Sequence, residues 1–340
     1  MIAVDANGAD QGPAAVAEGA RRSGLEVLLF GPAGELGQNG ERVEVVDAPV
    51  TIGGHEEPAQ AVRSRPDASI VLAARAVADG RADALVSAGS TGPTLAAATL
   101  QIRRLRGVHR PALAVLLPIP GGPVLLLDAG ASVEARPEHL VQFAYMGACF
   151  MEAVYGHRRP RVGLLSVGAE SGKGTPAVLT ARERIEEAGG LAFVGNVEGF
   201  DLPGAGADVV VTDGFTGNVA LKVLEGTSRL VRESIADAVR SSPVSAIGGL
   251  LIRGRVSRLR EQLDPEAVGG AILLGLRKPV VVAHGSFGPR GIASAVGLAR
   301  RAVDEDMVGR TAAALEAAGA LRSARAGSVA EVTPESDGSA

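Results

Sequence analysis

Short apolar runs that alternate with Ala-rich helical segments dominate this sequence and restrict the folds open to it. Several runs, such as Val124–Leu127 and Val209–Val211, are apolar at every position instead of every second one. Strands of this kind are buried on both faces, as in a parallel sheet covered by helices. The pattern therefore predicts an α/β fold with a largely parallel sheet between helices, and ligands beyond the carboxyl ends of its strands.

The predicted elements follow one another along most of the chain. Strands are predicted at Ile2–Asp5, Glu26–Phe30, Val43–Val46, Ala84–Ser87, Ala114–Leu117, Val124–Asp128, Val162–Ser166, Ala192–Val194, Val209–Thr212 and Val280–Ala283. Helices are predicted at Pro13–Ser23, Ile70–Asp79, Pro93–Arg104, Pro137–Tyr155, Ala177–Ala188, Thr216–Val239, Ile247–Leu263, Ala293–Asp304 and Val308–Ala318. Residues 1–324 are expected to form a single two-lobed domain, and the polar tail 325–340 to be disordered.

Composition excludes several classes of protein. A chain of 340 residues that is 46% hydrophobic can bury a large core. One cysteine excludes a disulfide framework, and five scattered histidines lack metal-ligand spacing, so no metal is expected. The absence of Trp and a net charge of −4 argue against nucleic-acid binding. No apolar run is long enough to span a membrane and no signal peptide is evident, so a cytoplasmic enzyme or binding protein is expected.

Two segments, Ala82–Gly92 and Ala207–Gly217, echo each other: each reads Ala-Asp, a strand, Gly-x-Thr-Gly and then a helix. Backbone amide groups at such a helix start lack partners inside the helix, and the helix dipole favours an anion there. We therefore expect both helix starts to converge on one cleft and share a phosphate. Ordinary tight turns are the alternative. The candidate phosphate ligands are Gly89, Ser90, Thr91, Gly92, Gly214, Thr216 and Gly217, with Asn218 as a further donor.

A Gly-rich loop, Ser166–Pro176, contains one of only three lysines in the chain. The spacing is wrong for a Walker A motif, and no G-x-G-x-x-G follows the first strand, so a nucleotide cofactor is not expected. Lys173 is interpreted as a cation directed at a small anion or a developing oxyanion, with a solvated loop lysine as the alternative. Lys222 is equally compatible with a surface position and with a ligand role.

Further polar residues lie at or just after the predicted carboxyl ends of strands, where sites form in α/β proteins. These candidates are Asp5, Asp10, Asp128, Asp213 and His284. Capping of turns by Asp is an equally good explanation for the carboxylates.

The segment 244–263 predicts an amphipathic helix with a basic rim. Its apolar stripe is Ile252, Val256, Leu259 and Leu263, extended by Leu250 and Leu251, and its flanking cations include Arg253, Arg255 and Arg258. Such a helix can lie on an anionic membrane surface. Docking of an acidic carrier protein, and a core or dimer-interface position, are the alternatives.

Many ordered segments of the chain resemble the phosphate acyltransferases of bacterial phospholipid synthesis, which transfer a fatty acyl group from acyl-carrier protein to inorganic phosphate. The resemblance covers about residues 1–320 and includes Gly53–Arg63, Val108–Pro118, Leu125–Gly147, Pro160–Gly168, Phe193–Gly199, Ala207–Gly226 and Val281–Ser286. It implies a fold of the isopropylmalate dehydrogenase-like group, a homodimer and peripheral association with a membrane. There, the product would reach a membrane glycerol-3-phosphate acyltransferase.

For this reaction we hypothesise roles for individual residues, with phosphate between the two Gly-x-Thr-Gly helix starts. Lys173 and Asn218 would contact phosphate or the oxyanion, and His284 would protonate the leaving thiolate. The chain departs from the family at Asn7, Ala9, Pro66, Ala68, Phe200 and Phe287, which would alter donor choice or turnover. The alternatives are a non-catalytic homologue that binds carrier protein or membrane, a decarboxylating dehydrogenase, and an enzyme like the phosphate acetyl- and butyryltransferases.

Overall fold

The computed structural model describes residues 1–119, 122–204 and 206–322, apart from the side chains of Leu259 and Arg260. Its strands form one eleven-stranded sheet. The strands are β1 (Ile2–Asp5), β2 (Val27–Gly31), β3 (Val43–Asp47), β4 (Ala84–Ser87), β5 (Ala112–Leu117), β6 (Val124–Leu127), β7 (Arg161–Leu165), β8 (Ala192–Val197), β9 (Val209–Val211), β10 (Ala271–Leu274) and β11 (Val280–Val282). The tail 325–340 lies outside the described residues.

The sheet changes direction in its middle. Its order is β3-β2-β1-β4-β11-β10-β5-β6-β9-β7-β8. The first five strands in this order are mutually parallel, and so are the last four, but β10 is antiparallel to β11 and β5, and β5 is antiparallel to β6. The two parallel groups therefore run in opposite directions. The carboxyl ends of β1, β4 and β11 lie at one edge, here the first edge, and those of β6, β7 and β9 lie at the second edge.

Helices cover both faces of the sheet, as the continuous apolar strands predict. They are α1 (Gly12–Arg22), α2 (Ala33–Leu36), α3 (Pro58–Ser64), α4 (Ser69–Ala78), α5 (Thr91–Ala97), α6 (Pro137–Tyr155), α7 (Pro176–Ala188), α8 (Gly214–Arg240), α9 (Pro243–Gln262), α10 (Pro265–Val268), α11 (Pro289–Asp304) and α12 (Met307–Ala317). A π-helical turn, Ala98–Ile102, continues α5. The α/β prediction is confirmed.

Helix α6 is the centre of the larger core. Its side chains are buried along nearly its whole length, and Phe143, Met146 and Phe150 are among the largest fully buried residues. Helices α7 and α12 pack against it. The helix ends where Gly156 adopts a left-handed conformation, with φ of 67°, which glycine tolerates without a Cβ clash.

Helices α8 and α9 expose an unusual amount of apolar surface. They contact each other, and a Cβ at Gly249 would lie 2.4 Å from Val239 Cγ1, so this glycine permits close packing. Leu250 and Leu251 are 66% and 82% exposed, and Ile252 and Val256 about half exposed. The stripe is therefore not core within one chain, whereas a dimer-interface position stays open. The predicted contact at Leu259 lies outside the described side chains.

Candidate active site

The first edge carries a buried carboxyl group at the end of β1. Asp5 Oδ2 accepts a hydrogen bond from Ser87 Oγ at 2.8 Å, and Oδ1 accepts one from the backbone amide of Asn7 at 3.3 Å. Burial raises the pKa of Asp5 to about 6, although these hydrogen bonds oppose the shift. Ser87 Oγ also accepts from the amide of Gly89 at 3.2 Å. Asp5 thus supports the Gly89–Gly92 loop from beneath.

Asn7, one of the departures from the family pattern, has a structural explanation. Its side-chain amide donates to the carbonyl oxygen of Ala48 and to Ser69 Oγ, each at 3.0 Å, and the residue is buried. These bonds join the end of β3 to the start of α4. The polar side chain is therefore satisfied inside the fold.

The Gly89–Gly92 loop is packed tightly and leaves the start of α5 open. A Cβ at Gly8 would lie 3.0 Å from Gly89 Cα, and one at Gly54 would lie 2.5 Å from Ser90 Oγ. Ser90 is the N-cap of α5 but makes no side-chain capping bond. A small cavity beside it is lined by residues that include Asp5, Ser69 and Thr94. The amide groups at this helix start remain suited to an anion.

His284 and Asp10 lie at the same edge. The amide of Ser286 donates to His284 Nδ1 at 3.2 Å, so the neutral imidazole carries its proton on Nε2. The amide of Asp10 donates to the carbonyl oxygen of Gly285 at 2.9 Å, which joins the turn after β1 to the turn after β11. Phe287, another departure, is buried in the core behind this turn.

At the second edge, Asp128 organises the turn after β6. Its Oδ1 accepts from the amides of Leu113, Gly130 and Ala131, and its Oδ2 accepts from the amide and hydroxyl of Ser132, at 2.7–3.1 Å. A carboxylate with five donors has little capacity left for a ligand. The geometry therefore favours turn capping for Asp128.

The start of α8 is capped by a carboxylate. Asp213 Oδ1 accepts from the amide of Thr216 at 2.8 Å, and its Oδ2 accepts from the hydroxyl of Thr216 at 2.8 Å. The carboxylate occupies the amide of Thr216 and brings negative charge to this helix start, which disfavours a second anion there. The two echoed loops are alike in sequence, but only the one at α5 is uncapped.

Close backbone packing explains the glycines of the second loop. A Cβ at Gly214 would lie 1.9 Å from the carbonyl oxygen of Ser132, and a Cβ at Gly217 would lie 1.9 Å from that of Asp128. No side chain fits at these distances. Backbone packing thus gives a structural reason for the two glycines, and capping gives one for Thr216; phosphate ligation by Gly214, Thr216 and Gly217 stays a prediction.

Lys173 lies in the loop that follows β7, and Asn218 lies in the first turns of α8, which follows β9; both strands end at the second edge. Asn196 Nδ2 lies 3.2, 2.8 and 3.0 Å from the carbonyl oxygens of Gly168, Glu170 and Lys173, which fixes the lysine loop. The side-chain Nδ2 of Asn218 donates to the carbonyl oxygen of Ala129 at 3.3 Å. Both side chains are exposed. Sequence analysis missed Asn196, although it lies in the Phe193–Gly199 segment that supports the resemblance.

The second edge also exposes large apolar side chains. One such side chain follows each of four strands: Val133 after β6, Val167 after β7, Phe200 after β8 and Phe215 after β9. Each of them is between 64% and 82% exposed. Apolar surface concentrated around polar groups is typical of a binding site. Lys222 has a partner on its own helix: its ammonium group pairs with Glu225 at 2.8 Å, which favours a surface position for this lysine.

The catalytic candidates are divided between the two edges. His284, Asp5, Asp10 and the Gly89–Gly92 loop lie at the first edge, whereas Lys173, Asn218, Asp128 and the Gly214–Gly217 loop lie at the second. The cause is the reversal of direction through β10 and β5. The prediction that both helix starts share one anion is therefore wrong within a single chain.

Comparisons with known proteins give a consistent result. The family model described as "Fatty acid synthesis protein" matches residues 1–310. A phosphate acyltransferase of Geobacillus sp. (strain WCH70) is 43% identical over 324 residues, which cover 93% of this chain and 98% of that protein. A phosphate acyltransferase of Bacillus pumilus (strain SAFR-032) is 42% identical over 315 residues, covering 90% and 95%. A phosphotransacetylase structure from Streptococcus pyogenes shares the fold with a TM-score of 0.60 at 18% identity, covering 90% of this chain and 94% of that one.

Proposed function

This chain belongs to the fatty acid synthesis protein family, together with phosphate acyltransferases, and we propose that it transfers a fatty acyl group from acyl-carrier protein to inorganic phosphate. The near full-length similarity to these enzymes carries the proposal. The product is an acyl phosphate that serves phospholipid synthesis. The side chains at the two sheet edges supply the chemistry.

The reaction makes modest demands. A phosphate oxygen attacks the thioester carbonyl carbon, a tetrahedral oxyanion forms, and the C–S bond breaks as the thiolate leaves and takes up a proton. The thioester is already activated, so the enzyme must chiefly align the two reactants. It must also stabilise the oxyanion with donors held in position beforehand. No covalent intermediate is required.

Phosphate binds at the first edge in this proposal. The open start of α5 provides amide groups, and Gly8, Gly54 and Gly89 keep Cβ atoms out of the loop. His284 lies at the same edge with a proton on Nε2, from which a leaving thiolate can accept a hydrogen bond.

Lys173 and Asn218 stabilise the oxyanion from the second edge of a partner subunit. Within one chain they lie at the opposite edge from His284, and the exposed apolar faces of α8 and α9 leave surface for a second copy. A twofold dimer would give two equivalent composite sites. The apolar side chains around Lys173, among them Val167 and Phe215, would then hold the acyl chain.

The helix pair α8–α9 also supports membrane contact. Leu250 and Leu251 project from α9 beside several arginines, a combination that suits an anionic bilayer surface. A long-chain acyl phosphate is poorly soluble, so release at a membrane would deliver it to a membrane glycerol-3-phosphate acyltransferase. Across the ranges described, no helix is long and apolar enough to cross a bilayer, so such contact would be peripheral.

One assay tests the proposal. Purified protein is incubated with long-chain acyl-carrier protein with and without inorganic phosphate, and acyl phosphate is trapped with hydroxylamine as the hydroxamate. Phosphate-dependent loss of the thioester, matched by hydroxamate, is expected. Binding of carrier protein with no product at any chain length would instead identify a non-catalytic homologue. Turnover with short-chain coenzyme A thioesters alone would identify an enzyme like the acetyl- and butyryltransferases.

A further inference from the structure

A basic segment at the second edge plays no part in the chemistry above. Residues 103–110 read RRLRGVHR, with four arginines and no acid. Gln142 of α6 fixes this segment: its Oε1 accepts from the amide of His109 at 2.9 Å, and its Nε2 donates to the carbonyl oxygens of Gly107 and Ala320 at 2.9 and 2.8 Å. The segment is therefore rigidly attached to the start of α6 and to the end of the described chain.

This attachment gathers exposed arginines from four parts of the chain. Arg277 Nε donates to the carbonyl oxygen of Arg104 at 3.2 Å, and the amide of Arg322 donates to that of Gly107 at 2.9 Å. The rings of His109 and His139 lie 5.6 Å apart and bring Arg136 to the same place. The arginine patch is defined as Arg104, Arg110, Arg136, Arg277 and Arg322, all exposed.

The patch carries positive charge without neutralising partners. None of its five guanidinium groups has a carboxylate within 4.0 Å among the residues described here. Of the nearby acids, Glu138 pairs with Arg184 at 3.8 Å, and Glu134 is exposed. Burial lowers the pKa of His109 and of His139, so the two imidazoles are neutral at pH 7 and the charge resides on the arginines. The amino-terminal end of α6 adds partial positive charge.

The patch lies beside the proposed acyl-transfer groups. The segment 130–136 connects them: a Cβ at Gly130 would lie 3.2 Å from Asn218 Nδ2, and Arg136 is at the other end. Six residues span at most about 20 Å. A partner bound at the patch could therefore present a flexible, acyl-bearing arm to Asn218 and Lys173.

We propose that the arginine patch binds an acidic protein surface, and that this partner is the carrier protein of the acyl donor; the second part rests on the proposed function. Guanidinium groups match carboxylates with paired hydrogen bonds. A protein fits better than a membrane, because segments 103–110 and 136–142 expose no large apolar side chain that could insert into a bilayer.

The test variant is Arg110→Glu/Arg136→Glu, since neither side chain makes a hydrogen bond among those described. The control is Arg158→Glu/Arg310→Glu, the same charge change near the other end of α6. Binding of fluorescently labelled acyl-carrier protein is measured by anisotropy over a salt series. Turnover is measured with long-chain acyl-carrier protein and with the same acyl group on pantetheine.

The test variant should bind carrier protein at least about ten-fold more weakly, with a shallower salt dependence, whereas the control should bind as the wild type does. The KM of the test variant for the protein donor should rise, while its turnover of acyl-pantetheine stays unchanged. Unchanged carrier-protein binding would overturn the proposal, as would equal losses with both donors. Loss of binding to anionic phosphatidylglycerol vesicles alone would assign the patch to a membrane instead. Anisotropy measures binding of carrier protein without turnover, so failure of the proposed function would be seen separately in the turnover assay. An Arg110→Lys/Arg136→Lys variant should recover part of the carrier-protein binding.

Discussion

Gly217 packs directly on the carbonyl group of Asp128: a Cβ at position 217 would lie 1.9 Å from that oxygen. This contact joins the start of α8 to the turn that Asp128 organises, and so fixes Asn218 one residue further on. The glycine of a Gly-x-Thr-Gly motif is here required by the backbone of the protein itself.

Replacement of this glycine should therefore act on folding. Gly217→Ala should lower the free energy of unfolding by about 2–3 kcal/mol, because backbone atoms must move to admit the methyl group. Gly226→Ala in the same helix, where a Cβ meets nothing within 4 Å, should be stabilising by about 0.5–1 kcal/mol. Urea unfolding of both variants measures the difference. Equal stability of the two would contradict the contact.

Lys173 and Lys222 make a matched pair of lysine substitutions. Lys173→Ala should reduce kcat by about 10²-fold or more, because the proposed donor to the oxyanion is lost. Lys222→Ala should leave kcat unchanged, since this lysine pairs with Glu225 on the surface of α8. Steady-state hydroxamate assays measure both. A folded Lys173→Ala enzyme with the wild-type rate would remove the lysine from the mechanism.

The proposed composite site predicts complementation between two inactive variants. Lys173→Ala and His284→Ala should each be nearly inactive alone. In a mixed dimer one site carries both changes and the other carries neither, so co-expression should restore roughly a quarter of wild-type activity in a twofold dimer. The reference is the Lys173→Ala/His284→Ala double variant co-expressed with the wild type. No recovery, despite mixed dimers isolated with two affinity tags, would refute the composite site.

Asp5 should make stability depend on pH. Its folded pKa is about 6 against an ordinary 3.8, so the folded state holds the proton more tightly and loses stability as pH rises from about 4 to about 6. Asp5→Asn should remove this loss, and the variant should gain on the wild type by roughly 3 kcal/mol over that range.

Asp208→Asn is the control of opposite sign. Arg161 lowers the pKa of Asp208, so the wild type gains stability from this group as pH rises and the variant should fall behind. Urea midpoints of the three proteins, compared across the acidic range, test both directions. A pH-independent difference between Asp5→Asn and the wild type would show that Asp5 titrates normally.

The exposed leucines of α9 predict a separable membrane function. Leu250→Glu/Leu251→Glu should abolish sedimentation with phosphatidylglycerol vesicles, because charged groups replace the inserting side chains. Turnover of acyl-carrier protein in solution should persist, and Leu250→Ala/Leu251→Ala should bind vesicles with intermediate strength. Loss of the proposed dimer in the Glu variant, seen by light scattering, would assign the leucines to subunit contact instead.

Much of the fold could be predicted because the apolar runs are continuous and the helices periodic. All ten predicted strands are present, most with boundaries shifted by one or two residues, and α6 has the predicted bounds. Strand β10 was missed because Ala271–Leu274 is short, follows two glycines and lies close to a helical turn. Helices α2, α3 and α10 were missed because four to seven residues give too little periodicity.

The site was predicted less completely, because residue type does not reveal strand direction. The echoed loops have the same motif, but only the topology shows that β4 and β9 end at opposite edges. Asp213 in the second loop aligns with Ala88 in the first. The carboxylate of Asp213 caps the start of α8, whereas no side chain caps the start of α5. The sequence contained that difference, but its meaning depended on a hydrogen bond to Thr216.

The position of β10 and β11 has a consequence for how the chain is made. These strands come late in the sequence, at Ala271–Leu274 and Val280–Val282, yet they lie between β4 and β5 in the middle of the sheet. During synthesis from the amino terminus, the two halves can each pair their own strands but cannot be joined until residue 282 leaves the ribosome. From the completion of β5 at Leu117 until then, the nascent chain therefore carries two unpaired strand edges, on β4 and on β5, and such edges can pair with other chains.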